Sequence, residues 1–168
     1  SVVYLGTFSK ILAPGLRLGF MIVPDHLREK VRRLKEALNM RTPPLEQLAL
    51  ARLIEDRQLD RHVFRMKRLY QERRQCLIEA LGRVFGDRAR VAGEDAGLHL
   101  LVELAGRRLR PGDLARLRER GETVDWVEDY ACRKGLHRNQ LVLGYGSLEP
   151  DRIRSGVHRL KAALDENG

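Results

Sequence analysis

"GTFSKILAPGLRLGF", residues 6–20, joins two apolar runs through a loop that holds a single lysine. The first run, Val2-Val3-Tyr4-Leu5, stops at Gly6. The second, residues 18–23 (LGFMIV), is closed by Pro24. Unbroken apolar runs of this length are the pattern of short buried strands. Between them stand Thr7, Phe8, Ser9, Lys10, a Pro14-Gly15 turn and Arg17. The chain has only six lysines against twenty-six arginines. Arginine is its ordinary cation, so a lysine at a strand end points to a property that arginine lacks.

That property is an amine that can lose its proton. An ammonium flanked by burial is destabilised and its pKa falls. The neutral amine then attacks aldehydes to give a Schiff base, whereas a guanidinium stays protonated. Thr7 and Ser9 place hydroxyls beside the lysine, and Gly6 lets a ligand approach the backbone. Arg17 offers a planar fork suited to a phosphate or carboxylate. An aldehyde that also carries a phosphate satisfies all of these groups, and pyridoxal 5′-phosphate (PLP) is such a molecule. The residues alone leave a plainer outcome open, a surface lysine in a loop.

Outside this loop the composition is that of an ordinary soluble globular protein: 168 residues, 43 % hydrophobic and 33 % charged, enough for a real core. No apolar run approaches bilayer length, and no basic region followed by an apolar stretch opens the chain. Cys76 and Cys132 have no metal-ligand spacing and are expected to be free thiols in a reducing cytoplasm. The net charge of +9 suits an acidic partner. The arginines, however, are spread over every helix without aromatic interleaving, which fits a solvated arginine-rich surface. The chain opens inside a strand without an initiator methionine. Two strands cannot make a sheet with both faces covered, so a larger α/β domain is expected to lie upstream.

Downstream, Asp25 can serve as an N-cap, and Leu27, Val31, Leu34 and Leu38 give one apolar helix face. Thr42 can cap a second helix with Pro43 at its first position, running to about Arg57. The longest helix is expected over residues 59–85, with Leu59, Val63, Met66, Tyr70, Leu77, Leu81 and Val84 in one stripe. A helix of this length usually spans two lobes, and a boundary is placed near residue 75, giving lobes 1–75 and 76–168. Then follow a strand at 98–104, a short helix capped by Asp113 and ended by Gly121, a further strand expected in "TVDWV", and a last strand at 140–145. The closing helix starts near Pro150 and repeats its apolar residues at Ile153, Val157, Leu160 and Leu164.

"GTFSKILAPGLRLGFMIVP" resembles the lysine motif of fold-type I PLP enzymes, the aspartate aminotransferase superfamily. More narrowly, it resembles the MocR/GabR regulators, in which a GntR-type winged helix is fused to an aminotransferase-like domain. "RHVFRMKRLYQERRQCLIEAL" (61–81) is similar to the long helix of that branch, and "AGLHLLVEL" and "LVLGYGSLEPDRIRSGVHRLKAAL" are similar to its small lobe and closing helix. The resemblance implies an α/β fold: the C-terminal part of a fold-type I PLP-dependent transferase, with the end of the large lobe, a long connecting helix and a small α+β lobe. It implies that Lys10 forms the internal aldimine with PLP, that Arg17 binds the cofactor phosphate, and that Thr7 and Ser9 place hydroxyls on that phosphate. It further implies a cytoplasmic homodimer that senses PLP or a small amino compound and meets DNA only through an upstream domain. A free-standing class I/II aminotransferase, passing an amino group to a 2-oxo acid, is the alternative.

Two departures bear on that choice. The acidic partner of the pyridine nitrogen and the ring-stacking residue belong upstream of the lysine in this superfamily. The arginine that binds a substrate carboxylate in many aminotransferases aligns with Val142, and Arg138 is the nearest substitute. Of the other polar residues, His99 is expected to be packed or solvent-facing, His62 to make a lobe contact, and Trp126 to anchor a core. Asp125, Glu128 and Asp129 are expected in a solvated loop.

Overall fold

The computed structural model describes residues 1–39, 43–92 and 97–165. Contacts within the chain divide it into two compact units, Ser1–Met66 and Lys67–Gly168.

The first unit begins with β1 (Tyr4–Thr7) and β2 (Gly19–Ile22), paired antiparallel with Tyr4 opposite Ile22, Gly6 opposite Phe20 and Thr7 opposite Gly19. A Cβ on Gly19 would stand 2.7 Å from the Gly6 carbonyl oxygen. The register therefore demands glycine there. Gly6 lies under the Phe20 ring, and a Cβ on it would stand 2.4 Å from two ring carbons. The aromatic side chain thus covers the strand glycine opposite it. The sequence pattern anticipates buried strands, but both are open: Leu5 is 68 % exposed and Ile22 61 %. A two-stranded ribbon has no second layer to cover its faces.

The chain then forms α1 (Asp25–Asn39), α2 (Pro44–Glu55) and α3 (Gln58–Phe85). Leu27 and Val31 of α1 are half-buried while Leu34 and Leu38 are exposed. Arg32 and Arg33 hydrogen-bond Glu29 and hold its carboxyl at about 2. The N-cap of α2 is Pro43, with Pro44 inside the first turn. This displaces the expected start by one residue, and Thr42 lies outside the described residues.

The second unit holds the C-terminal part of α3, then β3 (Ala89–Ala92), β4 (His99–Leu104), α4 (Pro111–Glu119), β5 (Asp125–Trp126), α5 (Val127–Tyr130), β6 (Gln140–Gly144) and α6 (Pro150–Asp165). Its four-stranded sheet runs β3-β4-β6-β5, antiparallel throughout. Period-two alternation turns Leu100, Val102 and Leu104 of β4 and Leu141 and Leu143 of β6 into the core. Leu77, Ala80, Leu81 and Phe85 of α3 join them, with Leu114 and Leu117 of α4 and Ile153, Val157, Leu160 and Leu164 of α6. Tyr145, 2 % exposed, donates its hydroxyl hydrogen to the Gly97 carbonyl at 2.7 Å. Among the described residues no helix is long and apolar enough to cross a membrane.

Three local expectations change here. Asp113 sits in the first turn of α4 rather than at its N-cap; Arg110 is the cap, and its N–H donates to Asp113 Oδ2 at 2.7 Å. "TVDWV" contributes only two strand residues before Val127 starts a helical turn. Glu128, expected in solvent, is buried. Its carboxylate accepts the backbone N–H of Gly135 and of His137, the latter at 3.1 Å. Lys134 Nζ donates to the Glu128 and Asp129 carbonyls at 2.7 and 3.2 Å. The loop that delivers β6 is thus folded around one carboxylate.

Those N–H donors, the Gly135 bond foremost, hold the Glu128 carboxyl below its usual range. A depressed folded pKa stabilises the fold above the unfolded value, near about 4.3, and that stabilisation is lost as pH falls through the folded value. Glu128→Gln should therefore lower the denaturant midpoint at pH 7 and have a progressively smaller effect as the solution is acidified towards about pH 3. Equal effects of the substitution at both pH values would contradict this role.

Candidate functional site: the lysine loop

The first unit carries a closed loop. Phe8 N donates to Leu18 O at 3.0 Å, so residues 8 and 18 meet at its neck. Inside it, Ile11 N and Leu12 N both donate to Phe8 O, at 3.2 and 2.8 Å, and this turn carries Lys10. A 3-10 turn over Pro14–Leu16 follows. Arg17 then takes the left-handed conformation, φ 49°, and its N–H donates to Pro14 O at 3.3 Å. Left-handed backbone is costly for any residue with a Cβ, and such strain is found where a side chain must be aimed.

The neck brings the expected site residues onto one short segment. Thr7 Oγ1 lies 3.0 Å from Ser9 Oγ and 3.4 Å from the carbonyl of Leu18, the residue after Arg17. Ser9 N donates to Thr7 Oγ1 at 3.2 Å. Lys10 and Arg17 are exposed, and neither side chain has a hydrogen bond or ion pair among the described residues. The burial expected around Lys10 is thus not supplied by this chain. In a protein whose arginines pair widely with acids, two cations of one loop without acidic partners, next to two hydroxyls, suit an anionic ligand. A phosphate fits this donor set, and a lysine amine in the same loop fits an aldehyde on the same molecule.

The loop is also held from outside. His62 of α3 places Nε2 2.9 Å from the carbonyl oxygen of Ile11, and Arg65 Nη2 lies 3.4 Å from its Nδ1. The sequence reading assigns His62 to a lobe contact; its partner is the lysine loop itself. Fifty-one residues separate the two groups, and nothing in the local sequence pairs them.

The second unit holds the remaining residues singled out from the sequence. Val142 is half-buried and Gly144 exposed, on the face of β6 opposite buried Leu141, Leu143 and Tyr145. The neighbours of Val142 across the strands are Leu101 and Asp125, so its row carries no cation. Arg138 is exposed, and its carbonyl accepts from Trp126 Nε1 at 3.3 Å. Trp126 is buried as a core anchor, and His99 is exposed. Asp125 accepts the Tyr130 hydroxyl at 3.3 Å.

Residues 1–127 match the family described as aminotransferase class I and II. The HTH-type transcriptional regulator YhdI of Bacillus subtilis is 35 % identical over 162 residues, 96 % of this chain and 34 % of that protein. The probable rhizopine catabolism regulatory protein MocR of Rhizobium meliloti is 32 % identical over 166 residues, 97 % of this chain and 33 % of that protein. Among solved structures, LysN, the alpha-aminoadipate aminotransferase of Thermus thermophilus, complexed with N-(5′-phosphopyridoxyl)-L-leucine, superposes with a TM-score of 0.80 at 29 % identity. That superposition covers 98 % of this chain and 42 % of LysN. The chain spans about a third of the length of the two regulators.

The close approach at the neck gives the first test of the site. A methyl on Gly19 meets backbone, which cannot swing away; a methyl on Gly6 meets only the Phe20 ring. Gly19→Ala should therefore destabilise the hairpin by about 1–3 kcal/mol and speed hydrogen exchange at the Phe8 amide. Gly6→Ala should do less of both. The opposite order would mean that the neck is not set by Gly19.

Proposed function

Because this chain belongs to the aminotransferase class I and II family, we propose that it is the PLP-binding, aminotransferase-like part of a MocR-type transcriptional regulator. The observation that carries the reading is the closed lysine loop, whose neck joins Phe8 to Leu18 and which holds Lys10 and Arg17, with Thr7 and Ser9 at its start. The likeness to regulators along almost the whole chain supports the regulatory branch of the family. In this reading the full protein is a cytoplasmic homodimer. It senses PLP or a small amino compound, and it meets DNA through a domain outside this chain.

When bound, PLP supplies a ring that withdraws electrons from the amine attached to it. Lys10 Nζ would be the amine that holds the cofactor through its aldehyde. Arg17, set by its left-handed backbone next to the loop neck, would supply a permanent charge to the phosphate. The Thr7 hydroxyl, which donates to Ser9 Oγ, and the Ser9 hydroxyl would turn to the phosphate oxygens. The pairing of a lysine with an arginine follows from this division: one group has to give up its proton and the other has to keep it.

A free-standing aminotransferase is the second reading, favoured by the likeness to LysN with its phosphopyridoxyl ligand. Against it stands Val142, in a row of Leu101 and Asp125 without a cation for an amino-acid carboxylate. The two readings separate in the full protein. A regulator retains DNA from its own promoter region in a PLP-dependent manner and turns over no amino acid. Steady transamination of a 2-oxo acid without DNA retention would establish the enzyme.

Lys10→Ala should abolish the borohydride-reducible attachment of PLP; a reduced adduct mapping to another lysine would overturn the assignment. Charge-assisted contacts contribute about 1.5–3 kcal/mol, so Arg17→Ala should weaken PLP binding about ten- to hundredfold, with Arg17→Lys restoring part. Arg17→Gly should lose the same affinity yet be more stable than Arg17→Ala by about 1 kcal/mol, since glycine tolerates the left-handed backbone. Unchanged affinity in Arg17→Ala would remove the phosphate role.

A further inference from the structure

We infer that His62 is a positioning residue for Lys10, a latch that fixes the lysine turn through the neighbouring carbonyl. The turn is held from within on one side only. Ile11 N and Leu12 N both donate to Phe8 O, which curls residues 8–12 into the turn that carries Lys10. Ile11 follows Lys10 directly, so a bond to its carbonyl restrains the residue beside the lysine and, with the bonds to Phe8 O, the turn from which the lysine side chain leaves. His62 Nε2 meets that carbonyl at 2.9 Å.

The ring is itself oriented. A guanidinium only donates, so Arg65 Nη2 at 3.4 Å from Nδ1 makes that nitrogen an acceptor. The proton then sits on Nε2, the nitrogen that faces Ile11 O. Arg65, His62 and the Ile11 carbonyl form a one-way donor chain from helix α3 into the lysine turn. A packing contact runs parallel to it. Leu12 shares the wall of a cavity of about 370 Å³ with Leu53, Leu59 and His62, at the junction of α2 and α3. Arg61 and Arg65 line the same cavity, yet the bond to the carbonyl comes from the ring. An imidazole donor is short and planar and has few rotamers to lose, whereas a long cation gives up more side-chain entropy for the same bond. Such a donor fits a turn whose lysine must keep one direction.

The inference rests on the reading of Lys10 as the PLP anchor, and the experiment separates the two. In the full protein, His62→Ala, His62→Phe (similar volume, no donor) and His62→Gln (donor kept) are compared with the parent and with Lys10→Ala. Without PLP, hydrogen exchange of the amides of residues 10–13 should speed up by about three- to tenfold in His62→Ala and His62→Phe. It should stay near the parent rate in His62→Gln. With PLP added, the affinity read from the reducible absorbance should fall by a similar factor in the first two variants and recover in His62→Gln. Unaltered exchange in His62→Phe, or faster exchange with unaltered PLP affinity, would overturn the latch. Retention of PLP at another lysine in Lys10→Ala would overturn the functional reading, while the exchange measurement would still judge the hydrogen bond by itself.

Discussion

At Gly19 the two strands of the first unit come so close that one methyl group would stand 2.7 Å from the carbonyl oxygen of Gly6. The candidate site depends on that approach. It lets Phe8 and Leu18 close the loop by a backbone bond, which puts the start and the end of the excursion between them at one neck. Thr7 ends β1 at the neck, Ser9 follows just inside the loop, and Arg17 stands immediately before Leu18 on the return. A wider hairpin would keep every residue of the motif and lose the arrangement. The glycines belong to the site as much as the lysine does, although neither has an atom to offer a ligand beyond its backbone.

The motif was legible because its parts are neighbours in sequence. Lys10, Thr7, Ser9 and Arg17 lie within eleven residues, and a strand–loop–strand pattern is enough to bring them together. The long helix and the closing helix were legible for a related reason: their apolar residues repeat at three and four. What escaped depends on pairings that no local pattern carries. His62 meets Ile11 across fifty-one residues. Glu128 stands in an acidic stretch that reads as solvated, and only the return of Gly135 and His137 around it makes it a buried acceptor. β3 is four residues, Ala-Arg-Val-Ala, too short and too polar to signal a strand until Val91 is set opposite Val102. The exposure of β1 and β2 was misread for the opposite reason. Their apolar sequence records that such strands are built to be covered, and no layer within this unit covers them.

Arginine dominates the charge of this protein, and several of its guanidiniums pair with carboxylates of the chain itself. Arg73 is buried in the second unit, donating to the Gly146 carbonyl at 2.6 Å and to Glu149 at 2.5 Å, which fixes the loop ahead of α6. Arg107 and Arg116 both pair with buried Asp113. Arg159 pairs with Glu122, and the α1 arginines pair with Glu29 and Glu36. In each case a carboxylate from the chain itself neutralises the guanidinium. The pairing costs little on the surface and is indispensable in the interior, where one partner alone would be left charged and desolvated.

Arg17 has no such partner among the described residues, and its backbone, like that of Arg57 between α2 and α3, is left-handed. It is not an arginine left over in solvent on a helix, where its backbone would be relaxed and its side chain free to sample many rotamers. Its backbone is held in a conformation that costs about 1–2 kcal/mol for a residue with a Cβ, in a loop where glycine already appears at positions 6, 15 and 19. A sequence that uses glycine so readily around this turn has kept an arginine with left-handed backbone at its neck, without an ion pair among the described residues. Strain without local compensation is stable only when the surrounding hydrogen bonds over-determine the loop, as the bonds at Phe8, Leu12 and Pro14 do. The backbone beneath the exposed guanidinium is thus fixed by the loop itself, and in the proposed reading the charge that pairs with it arrives with the ligand.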